Sequence, residues 1–163
     1  MIDALILVTG ATGTVGSELV KQIVATGQKV RALVHDLAKA SIFGDAVEVI
    51  KGDLAKPETL VVPFAGVDKA FVLAQPTGPE FEELEGNAFN AAKKAGVKHI
   101  VKLSGRHLDA DFMVGTGMVH WHGESEERLR TLGIAWTFLR AGPVASNVIK
   151  LRGINQRGGL FLC

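Results

Sequence analysis

The sequence predicts an α/β fold, a doubly wound and mostly parallel Rossmann sheet of about six strands with helices on both faces. Short apolar runs alternate with stretches of helical periodicity, and no hairpin signal lies between them. Strands separated by helices form βαβ units, whose crossovers place the strands in parallel. The length of 163 residues fits a single domain.

The first half of the chain begins with an apolar strand at residues 5–9. An amphipathic helical stripe follows from Val15 and ends at Gly27, since glycine is common just after a helix. A second strand is expected at 30–35 and a short helical piece at 39–43. These elements make the first βαβ unit.

The middle of the chain repeats the pattern with a third strand at 47–51. One or two helical turns are expected at 58–64, after the proline that is well placed near a helix start. The fourth strand, 70–74, is entirely apolar, which indicates burial on both faces. A long helix is expected at 79–95.

The last part of the chain predicts a fifth strand at 99–103 and a sixth at 135–139. Residues 105–117 lack a clear period and contain three glycines, so a loop is expected there. A helix with charge pairs four residues apart is expected at 118–132, and a short helix at 144–150.

Composition excludes several classes of protein. Apolar residues make up 47% and charged residues 21%, which is typical of a folded globular chain. The net charge of +1 gives no reason to expect nucleic acid or an anionic membrane as a partner. The single cysteine, Cys163, excludes an intrachain disulfide framework and favours a cytoplasmic setting. No metal is expected, because the histidines and the cysteine lack ligand spacing.

The most informative motif is a G-x-x-G-x-x-G turn between the first strand and the first helix. Main-chain N–H groups at a helix start lack intrahelical partners and bind phosphate oxygens, and glycine leaves room for the ligand and for helix packing. The motif therefore predicts a dinucleotide site, the alternative being an ordinary strand–turn–helix. The predicted contacts in the turn are Gly10, Thr12, Gly13, Thr14, Val15 and Gly16.

Charged residues near the end of the second strand bear on the choice between NAD and NADP. Arg31 and His35 lie on one strand face and could meet a 2′-phosphate, whereas Asp36 could accept a hydrogen bond from a ribose hydroxyl. The alternative is that all three are solvated charges at a strand end.

Two further segments are expected at the same edge of the sheet. Asp53, with Leu54 after it, could accept from an adenine amino group or cap the next helix. Ala74 and Gln75 follow the fourth strand and could form a backbone wall beside a cofactor, although a plain loop has the same sequence character.

Three side chains near the fifth strand are candidates for chemistry. Ser104 could donate to a substrate carbonyl or only terminate the strand. His120 and His122 could act in proton transfer, because histidine titrates near neutrality, and the simpler interpretation makes them surface residues of the helix. Ser104 and His122 are the two catalytic candidates.

Five segments of the chain carry a family resemblance: 8–16 (VTGATGTVG), 30–34 (VRALV), 52–54 (GDL), 91–104 (AAKKAGVKHIVKLS) and 136–140 (WTFLR). In these segments the chain resembles the short-chain dehydrogenase/reductase superfamily. The resemblance is closest to the atypical, NmrA-like branch, which includes NAD(P)H-dependent quinone, azo-dye and triphenylmethane reductases and nucleotide-sensing regulators. In that branch a strand-end arginine often serves NADP, and the matching residue here is His35.

The chain also departs from the superfamily. Members with a Ser-Tyr-Lys centre use tyrosine as the acid, but this chain has no tyrosine. Alignment of the helix puts Met118 at the tyrosine position and His122 at the lysine position, and methionine cannot donate a proton. Family members also continue past this point, so a fragment, a truncated form or a partner over the apolar end is expected.

These observations together predict an NAD(P)H-binding, oxidoreductase-like protein, with NADP slightly preferred. The resemblance implies direct hydride delivery to a quinone-like or azo acceptor, for which positioning matters most. The alternative is a non-catalytic NAD(P)-binding redox sensor. The expected partners are the dinucleotide and a small acceptor, with no nucleic acid or membrane; the sequence leaves room for a homo-oligomer.

Overall fold

The computed structural model describes residues 4–75, 80–105 and 117–142. Its six strands form one sheet in the order β3-β2-β1-β4-β5-β6, and every neighbouring pair is parallel. The predicted fold class is confirmed. The strands are β1 (Leu5–Val8), β2 (Lys29–Val34), β3 (Val47–Lys51), β4 (Lys69–Val72), β5 (His99–Gly105) and β6 (Ala135–Ala141).

The helices follow the predicted order with shifted ends. The helical piece predicted at 39–43 is a 3-10 helix at Leu37–Ile42, which begins earlier because the Asp36 carboxylate caps it, and Phe43 follows it in an extended conformation. The predicted loop at 105–117 is wrong at both ends, since Gly105 belongs to β5 and Gly117 begins α4. The helices are α1 (Thr14–Ala25), α2 (Val61–Phe64), α3 (Phe81–Ala95) and α4 (Gly117–Arg130), with 3-10 helices at Leu37–Ile42 and Pro57–Leu60.

Several expectations concern residues outside the described part of the chain. These are the first residue of the helix predicted at 79–95, the interior of the loop predicted at 105–117, the short helix predicted at 144–150, and Cys163. Within the described residues, no helix is both long and apolar enough to cross a membrane.

The core consists of two apolar clusters on opposite faces of the sheet. Successive residues of β1 point in opposite directions, so Leu7 belongs to the cluster under α3 and Val8 to the one under α1. β4 is buried on both faces as predicted, with Phe71 packing toward α1 and Val72 toward α3. The sheet is thus covered by helices on both sides at its centre.

The strand order reverses direction at β1, which lies between β2 and β4. At such a switch point, the carboxyl ends of neighbouring strands open a crevice where ligands bind in α/β folds. Thr9 fixes the spacing of this crevice: its hydroxyl donates to the Leu73 carbonyl at 2.9 Å and accepts from the Leu73 N–H at 2.8 Å. These two hydrogen bonds connect the carboxyl ends of β1 and β4.

Candidate functional site

The glycine turn is tightly packed against the end of β4 and the start of α1. A Cβ on Gly10, whose φ is +59°, would lie 2.9 Å from the Leu73 carbonyl oxygen. A Cβ on Gly16 would lie 2.2 Å from the Gly10 carbonyl oxygen. Because neither atom can move without shifting main chain, these two positions require glycine.

The N-terminus of α1 is left without a side-chain cap. Its N-cap residue is Gly13, no side chain accepts from the first turn, and no acidic residue lies there. Gly13 and Thr14 are exposed. Free N–H groups and the positive end of the helix dipole therefore face solvent beside the turn, which fits a diphosphate.

A cleft of about 380 Å³ opens at the switch point beside this turn. It brings together seven of the predicted cofactor residues: Gly10, Thr12, His35, Asp53, Leu54, Ala74 and Gln75. Gly13, Thr14, Val15 and Gly16 form the adjoining turn and helix start. Residues that line the cleft but were not predicted are Leu33, Gly52, Leu73 and Leu84.

The charged residues at the end of β2 take different roles. His35 lines the cleft, and its Nε2 lies 3.5 Å from Asp53 Oδ2. Asp36 instead accepts from the Ala38 N–H at 3.0 Å and caps the following 3-10 helix. Asp53 lines the cleft and accepts from the Ala55 N–H at 2.9 Å. This bond lies in the turn before the 3-10 helix at Pro57–Leu60, whose N-cap residue is Lys56, so Asp53 does not cap that helix.

Arg31 is not brought to the cleft, contrary to the expectation for it. Its guanidinium donates to the carbonyls of Pro63 at 2.7 Å and Ala65 at 2.8 Å, and pairs with Glu48 at 2.9 Å. Arg31 shares a strand face with His35 but lies nearer the amino end of β2, beneath the end of α2. The guanidinium charge of Arg31 is therefore paired within the fold.

Ser104 is buried and faces α4 rather than the cleft. Its hydroxyl donates to Glu126 Oε1 at 2.6 Å. Glu126 also accepts from Arg140 at 2.7 Å and Arg130 at 3.1 Å. These donors lower the pKa of Glu126, although burial opposes them. The expectation that Ser104 faces the crevice is wrong. β5 continues to Gly105, and α4 covers the face of the strand that carries Ser104.

His122 is almost buried on the inner side of α4, with 9% of its surface exposed. Its ring meets Phe81 edge to face, with 4.8 Å between centroids, and its Nδ1 lies 3.1 Å from Lys102 Nζ. Burial and the Lys102 charge lower the pKa of His122 to about 4, so the ring is neutral at pH 7. His120 is exposed, 4.0 Å from Glu124.

A buried ion pair behind His122 was not predicted from the sequence. Lys102 Nζ lies 2.7 Å from Glu85 Oε2, both side chains are fully buried, and the Ser125 hydroxyl donates to Glu85. Burial lowers the pKa of Lys102 and raises that of Glu85, while each charge opposes the shift of the other.

The spacing of these residues was the available signal. Lys102 lies on the same face of β5 as the buried Ile100 and Ser104, and Glu85 lies at helical spacing between the buried Phe81 and Phe89. Positions of this kind face the core whatever residue occupies them, so a charge there must find a partner inside.

The chain is similar to several known proteins along most of its length. The NAD(P)H azoreductase of Xenophilus azovorans is 36% identical over 160 residues, covering 97% of this chain and 55% of that protein. The Escherichia coli quinone oxidoreductase QOR2, solved with NADPH, is 29% identical with a TM-score of 0.82, covering 91% of this chain and 53% of that one. NmrA, a negative transcriptional regulator, is 26% identical with a TM-score of 0.77, covering 89% and 47%.

The chain thus spans about half the length of the relatives that it matches. A family model described as NAD(P)H-binding matches residues 10–156, which include the turn, the cleft and the buried cluster under α4. The resemblance to NmrA-like proteins and their reductase relatives is confirmed. The chain belongs to the NAD(P)H-binding family.

Proposed function

We propose that the chain is a single NAD(P)-binding domain that holds NAD(P)H and supports hydride delivery to a quinone-like or azo acceptor. The observation that carries the proposal is the uncapped N-terminus of α1 beside the glycine turn, at the switch point of a parallel sheet. Main-chain N–H groups of the turn and of the first turn of α1 bind the diphosphate.

The adenosine end of the dinucleotide extends toward His35 and Asp53. His35 is the remaining candidate to contact a 2′-phosphate, because Arg31 is held under α2 and Asp36 caps a helix. The carboxylate of Asp53, which also lines the cleft, lies 3.5 Å from His35 and weakens the attraction of His35 for a phosphate. We therefore propose only a modest preference for NADP over NAD.

The residues at the ends of β4 and β5 position the nicotinamide end. When bound, the dinucleotide supplies the hydride, and the protein supplies orientation and exclusion of water. Ala74 and Gln75 form one wall of the cleft, and the small side chain of Ala74 leaves room for a ring. Ser104 is occupied by Glu126, so His122 is the remaining side-chain candidate near the reacting groups.

Binding is tested by titrating the chain with NADPH and NADH, followed by nicotinamide fluorescence. Saturable binding is expected, and Gly13→Val should abolish it, because a branched side chain occupies the space of the diphosphate. The matched control is Gly44→Val, at an exposed glycine with open space around its Cβ position. Equal affinity of both variants would contradict the assigned turn.

A second candidate function is a nucleotide sensor that does no chemistry. The similarity to the regulator NmrA and the absence of tyrosine from the chain favour it. Oxidation of NADPH in the presence of menadione and of methyl red separates the two functions. Turnover of either acceptor supports the reductase, whereas tight binding without turnover of either supports the sensor.

A further inference from the structure

The buried amine of Lys102 is surrounded by three acceptors. Its Nζ lies 2.7 Å from Glu85 Oε2, 3.1 Å from the Leu103 carbonyl oxygen and 3.1 Å from His122 Nδ1. An ammonium group has three protons and no lone pair, so these atoms accept all three. The carboxylate and the carbonyl can only accept, which fits a charged amine at this position.

This arrangement determines the protonation of the His122 ring. Since Lys102 donates to Nδ1, that nitrogen carries a lone pair, and the proton of the neutral ring is on Nε2. Protonation of both nitrogens would place a second cation beside the ammonium. The pKa of about 4 for His122 agrees with this, with burial as its larger cause.

The second ring nitrogen lies beside the carboxyl end of β5. His122 Nε2 is 3.8 Å from the position that a Cβ on Gly105 would occupy, and the neighbouring Cδ2 is 3.1 Å from it. In the described ranges of the chain, Nε2 makes no hydrogen bond. Glycine at 105 thus leaves room for the ring, whose Nε2–H has no partner among the described residues.

We propose that Lys102 is a positioning residue that holds His122 as the Nε2–H tautomer, so that the ring presents a neutral donor to a carbonyl oxygen bound at the end of β5. The carbonyl belongs either to the nicotinamide carboxamide or to the quinone-like acceptor. The inference rests on the proposed function for its ligand but not for the state of the ring.

Charged groups on three elements surround this ring. Lys102 on β5 makes direct contact, Glu85 on α3 neutralises Lys102, and Glu126 on α4 acts on the ring through space. Arg130 and Arg140 both pair with Glu126 and compensate its charge. The lysine is therefore the charged group that decides which ring nitrogen is protonated.

The state of the ring is tested by long-range ¹⁵N–¹H correlation spectra of the chain with labelled histidine, recorded from pH 5 to pH 8. His122→Asn identifies the signal by its loss. The expected result is an Nε2–H tautomer that stays neutral throughout. An Nδ1–H tautomer, or protonation of His122 within this range, would overturn the proposal without any assumption about cofactor.

The ligand is tested by titrating the same sample with NADP⁺ and then with menadione. A change in the Nε2 shift with NADP⁺ identifies the carboxamide as the acceptor, and a change only with menadione identifies the quinone. His122→Asn keeps an acceptor for Lys102 but lacks the Nε2 donor, so it should weaken the binding of that ligand by up to about tenfold.

Two outcomes distinguish a failure of the donor role of His122 from a failure of the proposed function. Binding of both ligands with no change at Nε2 and no loss in His122→Asn overturns the donor role. If NADP⁺ fails to bind, the proposed function is contradicted, and the tautomer measurement alone then decides the proposal about Lys102.

Discussion

The glycine turn and the buried cluster under α4 differ in how their polar groups are satisfied. At the glycine turn, the groups that would meet the ligand belong to the main chain, they are exposed, and no side chain satisfies them. Under α4, charged and polar side chains satisfy one another almost completely, away from water. The first region can therefore bind an anion, while the second orders the fold and, among the described residues, leaves the Nε2 of His122 and the Oε1 of Glu85 without a hydrogen-bond partner.

This difference predicts that the stability of the protein is especially sensitive to loss of one charge in the buried cluster under α4. Lys102→Met should lower the free energy of unfolding by about 3–5 kcal/mol, because Glu85 is left charged or neutralised without its partner. Urea denaturation measures it. The control is Lys98→Met: Lys98 pairs with Asp68 at 2.9 Å but is 78% exposed, so little change is expected. Similar losses in both variants would contradict the comparison.

The same region should also make stability depend on pH. His122 has a pKa of about 4 in the folded chain, below the value of about 6.5 for an unfolded histidine. The unfolded chain binds more protons between these values, so stability falls as the pH drops from about 6.5 to about 4, by about 3 kcal/mol in total from this group.

Urea denaturation of the wild-type chain and of His122→Asn at pH 7 and pH 5 isolates this contribution, since asparagine does not titrate. The pH dependence should be weaker in the variant. His120→Asn is the control, because His120 is exposed on the same helix. A slope that His120→Asn changes and His122→Asn does not would contradict the assignment.

Coenzyme binding at the glycine turn should be sensitive to added side-chain volume rather than to a change of charge. Gly16→Ala should lower NADPH affinity by more than about tenfold, because its Cβ would lie 2.2 Å from the Gly10 carbonyl oxygen and push α1 off the turn. Gly123→Ala on α4 has open space at its Cβ and should leave binding unchanged. Fluorescence titration of both variants decides this; equal affinities would contradict the packing argument.

The smallest expected effect is on coenzyme preference. His35→Arg should raise the NADP/NAD affinity ratio by about tenfold, since a permanent cation replaces histidine beside Asp53. Asp36→Asn keeps an oxygen to cap the 3-10 helix and should leave the ratio unchanged. Calorimetric titration with both coenzymes measures the ratio, and a larger effect from Asp36→Asn would reverse the assignment of the two residues.

The sequence predicted what periodicity and local turn chemistry determine. The succession of strands and helices along the chain and the glycine turn followed from apolar runs and glycine spacing, and the face of β2 that carries Leu33 and His35 followed from alternation. Sequence spacing could not show that Arg31 meets the end of α2 or that Ser104 meets Glu126, because both contacts join residues far apart in the chain. Spacing does place Lys102 and Glu85 at core-facing positions of β5 and α3, but it could not show that the two residues contact each other.

The central claim is that exposed main-chain N–H groups at the start of α1 hold the diphosphate of a nicotinamide dinucleotide. A crystal structure of the chain with NADPH tests it most directly. We expect diphosphate oxygens within hydrogen-bond distance of the N–H groups of Thr12, Thr14 and Val15, since the Gly13 N–H already donates to the Gly10 carbonyl at 3.0 Å. A dinucleotide bound elsewhere, with the turn vacant, would contradict it.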